Sequence, residues 1–149
     1  MKPQEQAQSI VDQMYKQDFF SQWLGIQRLE DSAGKSVLRM TIRKEMLNGF
    51  GIAHGGITYS LADSALAFAS NSRGRHAVSI ETSISHIESL REGDIITASA
   101  EEESLGNRIA IYRIIVKNQN DQTVALFKGT VYRTSRDWET EGKEDGETR

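Results

Sequence analysis

Hydrophobic and polar positions divide the chain into three regimes. Over residues 4–24, apolar side chains fall at Ile10, Val11, Met14, Tyr15, Phe19, Phe20, Trp23 and Leu24, mostly three or four apart, which predicts one amphipathic helix stopped by Gly25. Such a helix either packs on the rest of the domain or acts as a mobile lid whose aromatic end reaches a substrate. Past the turn-forming Asp31-Ser32-Ala33-Gly34, Leu38, Met40 and Ile42 alternate with Val37, Arg39, Thr41 and Arg43, as on a half-buried strand. Residues 46–54 are glycine-rich and hold no period. Residues 57–70 then contain no glycine or proline and are apolar or small on nearly every side, which predicts a central buried helix ended near Gly74.

From His76 to Thr134 the period is two. Val78, Ile80, Thr82 and Ile84 share one strand face, and Ile95, Thr97 and Ser99 the next. Ile109, Ile111, Arg113 and Ile115 follow, and then Val124, Leu126 and Lys128. The breaks, Glu92-Gly93-Asp94, Leu105-Gly106-Asn107 and Asn118-Gln119-Asn120-Asp121, have turn chemistry, and their shortness favours antiparallel neighbours. The expected fold is α+β: an antiparallel sheet of about five strands wrapped around a long central helix.

Composition narrows the function. A chain of 149 residues, 38% hydrophobic and 26% charged, reads as one domain over 1–136 with an acidic, disordered tail over 137–149. The net charge of −3 resides in that tail, where six acids meet two bases. The body carries sixteen bases against fifteen acids. That balance argues against nucleic acid as a partner, since neutralising phosphates calls for a concentrated basic surface. No apolar run approaches the roughly 20 residues that cross a bilayer, so the expectation is a cytoplasmic protein with no membrane partner. With no cysteine, thiol nucleophiles and cysteine zinc sites are excluded. His54, His76 and His86 share no metal-ligand spacing, and no metal site is expected.

What remains for chemistry centres on Asn48-Gly49-Phe50-Gly51-Ile52-Ala53-His54-Gly55-Gly56 and on Asp63. Gly55-Gly56 at a helix start leaves backbone N–H groups uncovered at the positive end of the dipole. Such a terminus is either a plain turn or a holder for an anion or a developing oxyanion. Asp63, among Leu61, Ala62, Ala65 and Leu66, is costly to bury without partners. It lies either on an exposed stripe or in a reacting position. Eight helical residues separate Gly55 from Asp63 by roughly 12 Å, whereas reacting groups meet at about 3–3.5 Å. If both act on one carbonyl, they come from two antiparallel copies, giving two composite sites per homodimer.

Met46-Leu47-Asn48, His54-Gly55-Gly56, Ser60-Leu61-Ala62-Asp63-Ser64-Ala65, Ala69-Ser70-Asn71-Ser72 and the closing Val124-Ala125-Leu126-Phe127-Lys128-Gly129 together resemble the hotdog-fold acyl-CoA thioesterases of the phenylacetate-degradation (PaaI) type, over about residues 15–135. The resemblance implies hydrolysis of acyl-CoA, with aryl-acyl groups such as phenylacetyl or hydroxyphenylacetyl preferred. It gives Asp63 the role of nucleophile or general base, the Gly55 amide that of oxyanion donor, and Asn48 the placing of the water or carbonyl from the opposite subunit. His54 orients the loop and Ser64 offers a second hydrogen bond near the acid. Substrate contacts are expected from Gly56, Phe50, Tyr59, Arg91 and Arg108. No cofactor beyond the substrate's CoA is implied, and dimers pairing into a homotetramer are. One departure stands out: His86-Ile87-Glu88-Ser89-Leu90-Arg91 carries Glu88-Ser89 where the family often has Arg-Pro near the CoA. Two other readings use the same fold, an acyl-CoA binding module without turnover and a hydratase or dehydratase of β-hydroxyacyl thioesters.

Overall fold

The computed structural model describes residues 1–140; the expected tail from 141 to 149 lies outside the described residues. Helices α1 (Pro3–Gln17) and α2 (Phe19–Leu24) precede the hairpin β1 (Gln27–Ser32) and β2 (Lys35–Thr41). A 3-10 turn (Lys44–Met46) leads to α3 (Gly55–Asn71), followed by β3 (Arg75–His86), β4 (Ile95–Leu105), β5 (Ile109–Lys117) and β6 (Thr123–Asp137). The sheet is antiparallel throughout, in the order β1-β2-β4-β5-β6-β3. A long helix lying against such a sheet is the hotdog arrangement.

The core lies between α3 and the sheet. Leu61, Ala62, Ala65, Leu66, Phe68 and Ala69 of α3 are buried against Leu38, Met40, Ile96, Ile114, Val116 and Phe127. Small residues let the layers approach: a Cβ placed on Gly129 of β6 would overlap Leu66 Cδ2 and stand 2.8 Å from Cδ1. Here the glycine is required by the close approach of the helix to the strand.

Three features add to the pattern read from the sequence. Among the described residues the sheet has six strands, where the hydropathy pattern shows about five, because β1 escapes a hydropathy reading. It turns Leu29 outward (48% exposed) and Asp31 inward (7%), where Arg28 holds the Asp31 carboxylate at 2.7 and 3.0 Å. The single helix over 4–24 is two. Asp18, at φ −93° and ψ 79°, leaves the helical region and caps α2 by accepting the Ser21 N–H at 3.0 Å. As a result α1 buries Ala7, Ile10 and Val11, while α2 turns Phe19, Phe20 and Trp23 outward. Gly25 stops α2 in the left-handed region, at φ 76°. The packed body also reaches Thr140 rather than 136: Trp138 stacks on His76 at 4.0 Å and its indole N–H donates to Asn71 Oδ1 at 2.9 Å.

At the sheet edge, among the described residues, β3 pairs only with β6, and its register shifts between Ser79 and Glu81. Val78 and Ile80, read as sharing a face with Thr82 and Ile84, are more than half exposed. Among the described residues, no helix is long and apolar enough to cross a membrane.

Candidate active site

Residues 47–54 form a closed loop. Asn48 Oδ1 accepts the Phe50 and Ile52 N–H groups at 2.9 and 3.4 Å, and its backbone N–H donates to Ile52 O at 2.8 Å. Those contacts fix the oxygen side of the amide, so its NH2 group remains available as a donor. His54 is the N-cap of α3. Its backbone N–H donates to Met46 O at 2.8 Å and its Nδ1 accepts the Gly56 N–H at 3.1 Å. The imidazole thus holds the loop and consumes the Gly56 donor. Gly55, the first residue of α3, has no carbonyl four residues back within the helix, and its N–H has no acceptor among the described residues.

Asn48 and Gly55 line one cleft of about 250 Å³, together with Thr58, His86, Glu88 and Ser89. His86 closes over the glycine, its Nε2 standing 3.2 Å from where a Gly55 Cβ would be. The cleft therefore offers two hydrogen-bond donors, the Gly55 N–H and the Asn48 amide, at the positive end of a 17-residue helix. That arrangement suits a carbonyl oxygen acquiring negative charge.

Asp63 is elsewhere. It lines a second cavity, of about 370 Å³, with Met14, Leu66, Val78, Ser79 and Trp138. Burial, and then the negative charge of Asp18, push its carboxyl above the usual aspartate range. It has no hydrogen-bond partner among the described residues. Along α3, Gly56, Ser60, Asp63 and Ala67 retain solvent exposure at helical spacing, joined in the first turns by Gly55, Ile57 and Tyr59, while the rest of the helix is buried. Ser64 faces the other way: it is 8% exposed and its Oγ meets Ser21 Oγ at 2.8 Å, not Asp63.

The remaining expected contacts scatter. Phe50 stands 89% exposed at the loop tip. Tyr59 packs edge-on against Phe127 and its hydroxyl bonds Thr82. Arg91 is exposed, one residue past the Leu90 that lines the Gly55 cleft, and Arg108 bonds Tyr132 Oη at 2.9 Å beside Arg133. Glu88 and Ser89 do form part of the cleft wall. Sequence reasoning missed His86, Ser79 and Trp138 as wall residues, since nothing local marks them. It also missed the α2 cap at Asp18, which the Asp-x-x-Ser spacing from Asp18 to Ser21 does signal.

Comparison with known proteins decides the family. The family model of the thioesterase superfamily matches residues 50–125. The acyl-coenzyme A thioesterase PaaI of Escherichia coli is 39% identical over 120 residues, covering 80% of this chain and 86% of that one. This chain belongs to the thioesterase superfamily. The thioesterase also superposes on the solved E. coli PaaI protein from the phenylacetic acid degradation operon with a TM-score of 0.89, covering 91% of this chain and 99% of that one at 35% identity. A phenylacetic acid degradation protein PaaI from Thermus thermophilus matches with a TM-score of 0.76 at 40% identity, over 78% and 100% of the two chains. Membership makes this chain a thioester hydrolase, with the hotdog fold and PaaI-type sequence.

Proposed function

We propose that this thioesterase hydrolyses acyl-CoA thioesters, preferring aryl-acyl groups such as phenylacetyl, at two equivalent sites shared between the subunits of a homodimer. The observation that carries the reading is the separation of the machinery within one chain. The oxyanion donors line one cleft, the carboxylate lines another, and the carboxylate sits on a helix stripe that this chain leaves uncovered.

The exposed β3 edge supplies a way to join the halves. The Asp63 cavity includes residues 76–79 at the start of β3, and the Gly55 cleft includes residues 86–89 at its end. Antiparallel pairing of two β3 edges about a two-fold near mid-strand brings the start of one strand to the end of the other. Each Asp63 then faces the Gly55 of the second copy, and Val78 and Ile80 are covered.

In each site the Gly55 N–H and the Asn48 amide hold the thioester oxygen. Asp63 of the facing copy either takes a proton from the attacking water or itself attacks the carbonyl carbon, forming an anhydride that water opens. In both routes a C–O bond forms at the carbonyl carbon, the C–S bond breaks, and CoA leaves as thiolate and is protonated. Thiolates are good leaving groups, so the oriented carboxylate and the oxyanion donors suffice without a metal or cofactor. The aryl preference is supported by the apolar wall and indole of the Asp63 cavity and by the E. coli relative's place in a phenylacetic acid degradation operon. Further pairing of dimers into a tetramer belongs to the same reading.

The test is release of free CoA from phenylacetyl-, hydroxyphenylacetyl-, acetyl- and long-chain acyl-CoA. Aryl substrates are expected to give the highest kcat/KM, and Asp63→Ala to abolish turnover in a folded dimer. Tight binding of every substrate without CoA release would sink the hydrolytic reading.

A further inference from the structure

The break between α1 and α2 sits beside the carboxylate proposed to react. Asp18 makes two contacts to Ser21: Oδ1 accepts its backbone N–H at 3.0 Å and Oδ2 its hydroxyl at 2.6 Å. Ser21 Oγ is in turn 2.8 Å from Ser64 Oγ, on the residue that follows Asp63. The direction of this chain follows from chemistry. An ionised carboxylate only accepts, so Ser21 donates to Asp18, and Ser64 donates to Ser21. Ser21 is fully buried and Ser64 nearly so, and a buried hydroxyl left without a partner costs about 1–3 kcal/mol. The two protons are therefore committed. Ser64's single proton points to α2 and is withheld from Asp63, whose carboxylate has no donor among the described residues.

We propose that Asp18 is a positioning residue for Asp63: through Ser21 and Ser64 it fixes the turn of α3 that carries the reacting carboxylate, and it holds a negative charge toward that carboxylate. The inference rests on the proposed role of Asp63. Among the described residues, the other titratable side chain lining the Asp63 cavity is His76. From α1 the cavity receives Met14, and from β3 it receives His76, whose pKa is lowered by burial and then by Arg136, with Asp137 acting the other way. Among the described residues, Asp18 is the charge that acts on Asp63, in the same upward direction as burial.

The test is the pH dependence of kcat/KM with phenylacetyl-CoA, whose acid limb reports the free enzyme's carboxylate. Asp18→Asn keeps a carbonyl oxygen for the cap and removes the charge. Its acid limb is expected at lower pH than that of the wild type, because removing a neighbouring negative charge lets Asp63 ionise more readily. Ser21→Ala keeps the charge and breaks the chain. It is expected to lower kcat several-fold with KM little changed and the limb held near the wild-type position. Should Asp18→Asn fail to fold, Asp18→Ser, a capping residue without charge, carries the same expectation. A purely structural Asp18 would alter melting temperature and leave the limb in place, and superimposable limbs would overturn the proposal. Asp63→Asn separates the two readings. If it retains activity, the role of Asp63 itself fails. If it is inactive while the Asp18→Asn limb is unmoved, only the role of Asp18 fails.

Discussion

Gly55→Pro isolates the proposed oxyanion donor with little disturbance of the helix that presents it. Proline is favoured at the first position of a helix, where the missing N–H has no intrahelical acceptor. The residue before a proline must be extended, and His54 already is, at φ −61° and ψ 135°. The new Cβ meets the exposed His86 side chain at 3.2 Å. Losing one preorganised donor to an oxyanion costs about 10²–10³ in kcat, or about 2.7–4 kcal/mol. Gly55→Ala is the control, since it adds the same Cβ and keeps the N–H. Its kcat is expected to stay far closer to that of the wild type than to that of Gly55→Pro.

The same variant tests the sharing of the site. In a dimer of one Gly55→Pro chain and one Asp63→Asn chain, one site collects both lesions and the other collects neither. Random reassortment of an equimolar mixture makes half of the dimers mixed, each with one intact site of two. The mixture then recovers about a quarter of wild-type kcat from two nearly inactive parents. A site contained in one chain gives no recovery at all. Mixed dimers confirmed by native mass spectrometry, with activity still at the parental level, would refute the shared site. Full activity in Gly55→Pro would remove the backbone donor from the mechanism.

Two further predictions concern stability. The Asp63 carboxyl is raised in the fold, chiefly by burial, so the folded state favours its neutral form and the cost of holding the charge appears as pH rises through the folded pKa. Asp63→Asn is therefore expected to melt above the wild type at pH 8, with the gap closing as pH falls toward the ordinary aspartate value; a pH-independent gap in scanning fluorimetry would contradict this. Gly129→Ala forces a methyl into Leu66 and should cost about 1–3 kcal/mol, roughly 2–4 °C in Tm for each kcal/mol. Adding Leu66→Ala should relieve part of that cost, and strict additivity in calorimetry would show that the contact is not responsible.

The parts of the fold legible in the sequence are those where polarity and burial agree. Helix α3 was visible because Leu61, Ala65, Leu66 and Phe68 are all buried, and β2, β4 and β5 because burial alternates along them, although in β4 and β5 the buried face is Ile96, Ala98 and Ala100 and then Ala110, Tyr112, Ile114 and Val116, opposite to the faces read from Ile95 and Ile109. β1 was not, since it buries Asp31 and exposes Leu29, a reversal that only the Arg28 ion pair makes tolerable. The helix break was masked because Phe19, Phe20 and Trp23 continue the apolar spacing of α1 although they point outward on α2. At the site, the loop from Asn48 to Gly55 is local, and Asn48, Ile52, Ala53 and Gly55 meet in one cleft, while Phe50 and His54 lie outside it. Ser64 shows the limit of local reasoning: adjacency to Asp63 says nothing about its partner, which lies 43 residues away at Ser21.

The features that look unfinished in a single chain lie on the surfaces that the proposed dimer joins. Among the described residues, β3 leaves Val78 and Ile80 exposed at the sheet edge, α3 leaves a stripe uncovered, and Asp63 is half-buried without a hydrogen-bond partner. An exposed apolar edge strand is a hazard for association with wrong partners, and a half-desolvated charge works against folding. Pairing two β3 edges covers the first. It also brings the Gly55 donors of one copy toward the Asp63 of the other, where the substrate's polar carbonyl takes its place between them. Burial that destabilises the carboxylate in the free chain is also what keeps it basic enough to act on water or a thioester. Stability and activity on this reading share one association equilibrium, so melting temperature and specific activity should both fall when the protein is diluted below the dimer dissociation constant. Activity per chain that stays constant while light scattering shows monomers would break that link, and with it the case for a site built from two copies.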